Sequence, residues 1–449
     1  MTQDTRNSCR AKIACVSSDK GALSSLIEAY GEIGYRAAPA HRLETADLGL
    51  IDLRGVNVTT RRARAMCDAL RRKSPESSLI FLVDPYAPLD RTEPLTRFGE
   101  VIPADDILDH VIARSRSILR MRNLAEEAGE RLKSLTAVNR VVEFPVISTQ
   151  TTPPRVLLAG APGPNAIAAI NSMAPVIESC ICVLTAAQAM RALKTYDADC
   201  MVFLPDVSDR SLTALACALQ RHPDYARLPS ILIGRSVDHV AALARANLAD
   251  YLIDSHIAAR LPGRVIAAAR RGRLAASMRQ FLSACAGDGV RDPVSGAYTP
   301  TFLTEHGGRL SSRADQTARS LSAISVRLTE RDAADNRKTV RYAMETAAGL
   351  LKKITRSEDL VARISFDTFA VLCSATNEGD ASRIGKRIEG VLSAAGYRQL
   401  RSERPYGVHV TAHAVEREPG SAIAELIGKA FAISQQADVT SAYQRQYQR

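Results

Sequence analysis

The amino-acid sequence predicts an α/β fold, with two doubly wound parallel-sheet domains followed by a third α/β domain. Short apolar runs alternate with segments whose apolar residues recur at helical spacing, a pattern typical of parallel strands covered by helices on both faces. The alternation occurs twice with similar length and order, which favours a duplicated module. The 449 residues suffice for about three domains of roughly 150 residues each. We place these domains at 1–140, 155–285 and 290–449.

Apolar runs in the first domain predict four buried strands: 13–16, 48–53, 79–83 and 101–102. A helix is expected at 23–30, and a second helix should bury the apolar positions within 63–70. A further, long helix is expected from about residue 107. The segment 141–154 contains Val, Thr and Pro and has the composition of a linker.

The second domain repeats this plan, and four further apolar runs predict its strands: 155–159, 200–204, 230–233 and 251–253. Apolar residues at helical spacing in 186–193 predict a helix, and a basic helix is expected from about 264 to 285. Cys180-Ile-Cys182 lies between apolar neighbours. A strand in the core is favoured there over a metal site, which would need further ligands nearby.

The composition of the chain limits its partners and its compartment. The net charge of +11 permits anionic partners. Aromatic residues make up only 5% of the chain and tryptophan is absent, so we expect no stacking platform for nucleic acid. No apolar run reaches the length of about 18 residues that a membrane-spanning helix needs, so no membrane insertion is expected. The 9 cysteines lack a repeated spacing, which is typical of reduced thiols and predicts a cytoplasmic protein.

Three motifs follow one another in the third domain. Asp292-Pro-Val-Ser-Gly296 opens it, Arg356-Ser-Glu-Asp359 lies further on, and Ser365-Phe-Asp-Thr-Phe369 comes shortly afterwards. In this order they resemble the D-x-L-T-G, R-x-x-D and G-G-D/E-E-F motifs of GGDEF domains, the diguanylate cyclase family. The resemblance covers roughly residues 292–440. It implies an α/β domain with a hairpin at the third motif and an inhibitory site for cyclic di-GMP at the second.

The third motif departs from the family at the positions that catalysis needs. Its five residues here are Ser365, Phe366, Asp367, Thr368 and Phe369. In the family two glycines let the hairpin backbone approach the nucleotide, and a Cβ at either position would obstruct that approach. Two-metal phosphoryl transfer also needs an aspartate on the first strand of the domain. The segment 322–328 contains no carboxylate, and Arg327 would repel a cation. We therefore expect no catalytic residues, no metal and no enzymatic activity.

The second motif keeps the residue types with which the family binds cyclic di-GMP. An arginine fork matches a phosphate or the O6 and N7 acceptors of guanine, and a carboxylate accepts from the guanine N–H donors. Arg356 and Asp359 supply one of each, and Arg387 matches by spacing an arginine that the family adds after the hairpin. An R-x-x-D tetrapeptide can also be an ion pair on a helix surface. We predict that Arg356, Asp359 and Arg387 bind cyclic di-GMP.

The first two domains resemble the receiver domains of two-component signalling. In that family a phosphoacceptor aspartate ends the third strand, and Asp52 stands at this position. Ser17-Ser18 replaces the acidic pair that would help to hold Mg²⁺ beside it. Asp52 is therefore a possible phosphoacceptor, and an aspartate without function at a strand end is an equal alternative. Leu204 occupies the acceptor position of the second domain and cannot be phosphorylated.

Two receivers followed by a GGDEF domain resemble the PleD/PopA-like response regulators. Together with the altered motifs, this resemblance implies a catalytically inactive cyclic di-GMP effector. Such a protein would form a homodimer and recruit protein partners in signalling or cell-cycle control. Two alternatives stay open. One is a residual diguanylate cyclase that converts GTP to cyclic di-GMP, and the other is a scaffold that binds no nucleotide.

Overall fold

The structure is a computed structural model. It describes residues 9–56, 60–84, 93–103, 108–138, 152–204, 210–219, 225, 228–234, 250–253, 257–285, 287, 289–330, 337–395, 397–399, 402–406 and 408–446. The chain divides into two compact units. One contains the described residues of 11–122 and 146–277, and the other contains those of 1–10, 123–145 and 278–449.

The first unit begins with a parallel sheet of five strands in the order β2-β1-β3-β4-β5. These strands are β1 (Lys12–Val16), β2 (Arg36–Pro39), β3 (Leu48–Asp52), β4 (Ser78–Val83) and β5 (Glu100–Pro103). The helices around them are α1 (Lys20–Glu32), α2 (Thr60–Lys73) and the start of α3 (Leu108–Ala137). Every residue of β3 is buried, because helices cover both faces of a parallel sheet. Helix α1 begins where the Asp19 carboxylate accepts from the amide of Gly21, at 2.7 Å.

A second parallel sheet in the same unit repeats this strand order, as β10-β9-β8-β6-β7. Its strands are β6 (Arg155–Gly160), β7 (Ser179–Val183), β8 (Cys200–Leu204), β9 (Ser230–Gly234) and β10 (Asp250–Ile253). Its helices are α4 (Pro164–Met173), α5 (Ala186–Ala192), α6 (Arg210–Leu219) and α7 (Ile257–Ala284). Both sheets have the strand order of flavodoxin-like doubly wound folds.

The other unit is built on an antiparallel sheet in the order β12-β13-β11-β16. Its elements are α8 (Pro300–Thr317), β11 (Leu321–Glu330), α9 (Arg337–Ile354), β12 (Leu360–Arg363), β13 (Thr368–Ser374), α10 (Glu378–Ala394), the pair β14 (Tyr397–Gln399) and β15 (Ser402–Tyr406), β16 (Val408–Glu416) and α11 (Ile423–Gln446). One face of the sheet buries Ile324, Val326 and Leu328 in a core shared with α9 and α10. The opposite face carries Arg327.

The predicted α/β class with two doubly wound parallel sheets is confirmed, and most predicted strands agree with the observed ones within one or two residues. One helix boundary was wrong. The basic helix α7 begins at Ile257, ahead of Pro262, because Ile257, Leu261 and Val265 are buried against the second sheet. That packing outweighs the cost of a proline inside a helix. The three domain boundaries stay predictions. Among the described helices, none has the length and apolar character needed to span a bilayer.

Candidate functional site

The third motif forms the turn between β12 and β13, which pair as an antiparallel hairpin. The amides of Ile364 and Ser365 both donate to the carbonyl of Thr368, at 3.0 and 3.3 Å. The Arg363 guanidinium donates to the carbonyl oxygens of Ser365 and Phe366, at 3.1 and 2.8 Å. The turn is therefore held rigidly by an arginine that follows the R-x-x-D motif. Phe366 occupies the outside of this turn and is 50% exposed.

The carboxylate of Asp367 is bound inside the protein by an arginine. Nε of Arg327 donates to Oδ2 of Asp367 at 2.8 Å, and Nη1 of Arg327 donates to the Gln435 side chain at 2.9 Å. The hydroxyls of Ser365 and Thr368 both donate to Oδ1 of Asp367, at 2.8 Å each. Burial would raise the pKa of Asp367, but these hydrogen bonds outweigh it and hold the pKa below its usual value.

The opening motif is a tight turn that is tied to the hairpin. Oδ1 of Asp292 accepts from the amide and the hydroxyl of Ser295, at 2.8 and 2.7 Å, and from Nη1 of Arg363 at 3.1 Å. Gly296 has φ +64°, a left-handed conformation that favours glycine over every residue with a Cβ. The motif therefore has a structural role, because it fixes Arg363 and, through it, the hairpin turn.

The R-x-x-D motif is a turn that links α9 to β12. Oδ2 of Asp359 accepts from the amide of Arg356 at 2.8 Å, and the amide of Asp359 donates to the carbonyl of Arg356 at 3.1 Å. Asp359 is only 6% exposed, and its Oδ1 is buried without a hydrogen-bond partner. Arg356 lies on the exposed side of the turn. The two residues predicted from the motif are thus close together, with the arginine outside and the carboxylate inside.

Burial raises the pKa of Asp359 to about 7, although Arg356 acts in the opposite direction. The nearby carboxylates Glu358 and Glu127 add to the rise. The Cys373 thiol on β13 lies next to Asp359, and burial followed by the charge of Asp359 raises the pKa of this thiol. A buried carboxyl with one unpartnered oxygen is costly to ionise. Asp359 therefore changes its charge close to neutral pH.

Arg387 lies at the same end of α9 as Arg356. It projects from α10, is exposed, and its Nη2 donates to the carbonyl of Ile354 at 2.7 Å. Ile354 ends α9, and a cation at the C-terminal end of a helix interacts favourably with the helix dipole. The structure therefore places Arg387 next to the last residue of α9, two residues before Arg356, and gives it a structural contact there.

A buried ionic network, which the sequence reading missed, lies beside this turn. Glu127 and Arg131 form an ion pair on α3, and Glu127 also bonds to Nε2 of His306 at 2.8 Å. Arg131 donates to the hydroxyl of Tyr298 at 3.2 Å. Tyr298 pairs through its backbone with Val361 on β12, so the network reaches the strand that follows the R-x-x-D turn. The sequence signal for this network was the i, i+4 spacing of Glu127 and Arg131. The same spacing is equally typical of an ion pair on a helix surface.

Asp52 ends β3 as predicted, and its carboxylate is also held by an arginine. Nε and Nη2 of Arg54 donate to Oδ1 and Oδ2 of Asp52, at 2.9 and 3.0 Å. The hydroxyl of Ser17 adds a bond to Oδ2 at 3.3 Å. Asp84, which follows β4, accepts from the amide of Gly55 at 3.1 Å. Sequence reading missed Arg54, although its place two residues after Asp52 at a strand end was a usable signal.

In the second sheet, Leu204 ends β8 and is buried. Asp199, just before β8, accepts from the amide of Arg155 at 2.9 Å and from Nη2 of Arg273 at 2.7 Å. Burial opposes ionisation of Asp199, but the bonds from Arg273 and Arg155 lower its pKa overall. Asp199, at the start of β8, therefore has a structural role in the second sheet.

Comparison with known families decides the nature of the C-terminal region. The sequence profile described as "Diguanylate cyclase, GGDEF domain" matches residues 342–440. This region is a GGDEF domain. The match includes the R-x-x-D turn, the hairpin and α10, so the resemblance inferred from the motifs is confirmed for this part of the chain. No curated protein matches the chain by sequence.

Solved GGDEF structures are similar to the chain at low identity. The FimX GGDEF domain from Pseudomonas aeruginosa is 16% identical, covers 33% of this chain and 93% of its own, and has a TM-score of 0.31. The GGDEF domain of DgcB from Caulobacter crescentus, in complex with c-di-GMP, is 13% identical, covers 34% and 90%, and has a TM-score of 0.30. The diguanylate cyclase SiaD from Pseudomonas aeruginosa, in complex with its activator SiaC, is 17% identical, covers 52% and 89%, and has a TM-score of 0.32.

The hairpin region of this GGDEF domain does not fit the divalent cations that cyclases use. A hard cation needs several oxygen ligands, and a guanidinium lies where Asp367 would offer its carboxylate to one. In the part of the chain that the structure describes, no group of three or more His, Cys, Asp and Glu side chains could hold a metal ion. The Asp367 carboxylate is already paired with the Arg327 guanidinium, so it is not available as a ligand for a metal ion.

Proposed function

We propose that this protein is a catalytically inactive cyclic di-GMP effector of the PleD/PopA type. The Arg327–Asp367 ion pair is the observation that carries the first half of the proposal. It neutralises the one acidic side chain retained in the hairpin motif, at 2.8 Å. Phosphoryl transfer by this family depends on metal ions held by carboxylates. A guanidinium in that position supplies positive charge but can neither polarise a nucleophile nor exchange ligands as a metal does.

The hairpin supports the same conclusion by its shape. Ser365 and Phe366 carry side chains where close approach of a nucleotide needs bare backbone. Arg363 fixes the backbone of the turn through two carbonyl oxygens, so the Cβ atoms of Ser365 and Phe366 stay at these positions. Nucleotide binding and metal binding at the hairpin are thus opposed by two independent features.

The R-x-x-D turn supports ligand binding. Cyclic di-GMP carries two phosphates and two guanines, and arginine forks bind both kinds of acceptor. Arg356 and Arg387 are exposed at the same end of α9. Asp359 shapes the turn by accepting from the Arg356 amide, and its unpartnered Oδ1 is the acceptor that a guanine N–H would meet after a local rotation of the side chain.

The two parallel-sheet domains serve this effector as receiver-like adaptor modules. Arg54 holds both oxygens of Asp52, so a phosphoryl donor would have to displace a bidentate ion pair. Leu204 offers no acceptor at the corresponding position. We therefore propose that neither domain is switched by phosphorylation. Both present surfaces for homodimer formation and for protein partners in the cytoplasm.

Isothermal titration calorimetry with cyclic di-GMP tests the proposal. The full-length protein should bind the ligand, and Arg356→Ala should abolish the measurable heat. Arg383→Ala is the matched control, because Arg383 is exposed on the same helix as Arg387 and pairs only locally with Asp380 within the described contacts. A wild-type protein that gives no heat and no thermal shift at saturating ligand would contradict the proposal.

An assay with GTP and either Mg²⁺ or Mn²⁺ tests the residual cyclase. We expect no cyclic di-GMP above background from the wild-type protein. Product that disappears in Asp367→Ala would support an enzyme instead.

A scaffold that binds no nucleotide is the second candidate, and the burial of Asp359 favours it. At 6% exposure this carboxylate is explained by the turn alone. The two functions differ in one measurement. An effector is stabilised by the ligand, with a rise in melting temperature that follows RT ln(1 + [L]/Kd). A scaffold shows the same melting temperature with and without cyclic di-GMP.

A further inference from the structure

Strand β7 is an edge of the second parallel sheet, and within the described residues it pairs only with β6. Its five residues, Ser179-Cys-Ile-Cys-Val183, include no charged residue and no proline. Ile181 is 37% exposed, and Cys182 is exposed as well. The Ser179 carbonyl accepts from the Tyr196 hydroxyl at 3.1 Å, which occupies one backbone acceptor at the start of the strand. The rest of an uncharged edge is a template for another strand, and proteins normally block such edges.

The corresponding edge strand of the first parallel sheet is blocked. Strand β2 begins with the exposed Arg36 and ends at Pro39. Strand β5, at the opposite edge of that sheet, begins with Glu100, which pairs with Arg114. Charged side chains and prolines at an edge oppose the addition of a strand. The contrast is sharpest between β2 and β7, because they hold the same place in two sheets of equal topology.

Apolar surface continues around the β7 edge. Leu184, which follows the strand, is exposed. Helix α4 shares a core cluster with Cys180 through Ile170, and it exposes Ile167 at 60%. These side chains would remain in water in a monomer. Covering them with another protein surface would contribute hydrophobic stabilisation to an association that backbone hydrogen bonds align.

We propose that two copies of this chain associate through antiparallel pairing of their β7 strands, about a twofold axis at Ile181. A twofold interface requires a surface that is complementary to itself. The strand meets this condition, because a cysteine stands on each side of Ile181 and no charge is set against its own copy. The pairing joins two five-stranded sheets into one and does not depend on binding of cyclic di-GMP.

The pairing makes a geometric prediction for the cysteines. Side chains alternate between the faces of a strand, so Cys180 and Cys182 share one face and Ile181 lies on the other. Pairing about Ile181 sets Cys180 opposite Cys182 of the partner subunit, with Cβ atoms about 5 Å apart. Within one subunit the two thiols also lie side by side, because the Cys182 thiol helps to raise the pKa of Cys180. Oxidation can therefore form a bond within one strand or between two subunits, and only the bond between subunits requires the proposed pairing.

Sedimentation velocity on the full-length protein tests the association. The wild type should be a dimer at micromolar concentration, and Ile181→Lys should raise the dimer dissociation constant at least tenfold. The matched control is Ile433→Lys, the same change at a 41% exposed position on α11, which should leave the constant unchanged. A monomeric wild type, or an Ile181→Lys variant that dimerises like the wild type, would overturn the proposal.

Cross-linking tests the register. Copper–phenanthroline supplies the oxidant, and each disulfide removes two thiol protons and two electrons. Peptide mapping should recover Cys180 joined to Cys182 between subunits, and the bond should persist in Cys217→Ser. The Cys180→Ser/Cys182→Ser variant should give no such dimer. Intermolecular bonds found only at other cysteines would show that the copies meet elsewhere, or that the edge accepts a different partner, and either result rejects this interface.

Discussion

The hairpin and the R-x-x-D turn of the GGDEF domain each combine arginine with aspartate, and they arrange the charges in opposite ways. At the hairpin, Arg327 and Asp367 bind each other at 2.8 Å. At the turn, the Asp359 carboxylate is buried and bonds to backbone, while the side chains of Arg356 and Arg387 are exposed. The first arrangement satisfies its own charges, and the second presents positive charge to solvent. The difference separates a carboxylate that is neutralised within the protein from two arginines that can attract an anionic ligand.

The strongest test of this contrast is Arg387→Ala. If the turn binds cyclic di-GMP, loss of this guanidinium should weaken the affinity about 10- to 100-fold, since a charged hydrogen bond to a phosphate or guanine contributes about 1.5–3 kcal/mol. Calorimetry against Arg383→Ala, which should bind like the wild type, measures it. Equal affinities in the two variants would mean that Arg387 only caps α9.

The next test removes the internal cation at the hairpin. Arg327→Leu leaves the partly buried Asp367 without its charged partner and should lower the free energy of unfolding by about 2 kcal/mol. Asp367→Asn in the same chain should recover part of that loss, so a double-mutant cycle in denaturant gives a coupling energy. Neither variant should produce cyclic di-GMP. A coupling energy near zero would mean that the pair contributes nothing to stability.

The pH dependence of stability probes the buried carboxyl. The folded-state pKa of Asp359 is about 7, above the value of about 3.9 for an unfolded aspartate. The folded protein therefore holds a proton that the unfolded chain releases, and this contribution to stability falls as pH rises from about 4 to about 7. Asp359→Asn cannot titrate and should remove this slope, which amounts to about 4 kcal/mol between pH 4 and pH 7. Melting curves of both proteins between pH 5 and pH 8 would reveal it, and parallel curves would refute it.

The smallest expected effect is at the first parallel sheet. Arg54→Ala removes the bidentate bond to Asp52, which should cost about 1 kcal/mol because the arginine is partly exposed. Arg61→Ala, an exposed arginine on α2, is the control and should be neutral. Incubation of the wild type with acetyl phosphate and Mg²⁺ should leave Asp52 unmodified in a phosphate-affinity gel. A shifted band that Asp52→Asn removes would show that the ion pair yields to phosphorylation.

The sequence was sufficient for the fold class because buried parallel strands are continuous apolar runs. Strand 200–204 is a clear example, since all five of its residues are apolar and all are buried. Helix α7 was harder, because a proline within it opposes a helix locally and only packing against the sheet reveals that the helix continues. Local preference and tertiary burial disagree there, and burial prevails.

The candidate site could be located from its motifs, but the direction of each side chain could not. The sequence shows an aspartate three residues after Arg356, and the same spacing permits an exposed pair or a buried acceptor of the Arg356 amide. Likewise, Arg327 could be expected to repel a cation, whereas its bond to Asp367 depends on the register between β11 and β13. Register and burial are set by contacts distant in sequence. For that reason the Glu127–His306 contact had no sequence signal.

The bond between Arg327 and Asp367 also affects any attempt to engineer cyclase activity into this protein. Glycines at 365 and 366 would remove the side chains that obstruct a nucleotide. The Asp367 carboxylate would still be paired with Arg327. Replacing Arg327 first would leave the Asp367 carboxylate without its charged partner and would lower the stability of the fold, and this change alone should give no cyclic di-GMP. Under the proposed loss of activity, a cyclase would have to be built by several substitutions together, because replacing Arg327 alone costs stability.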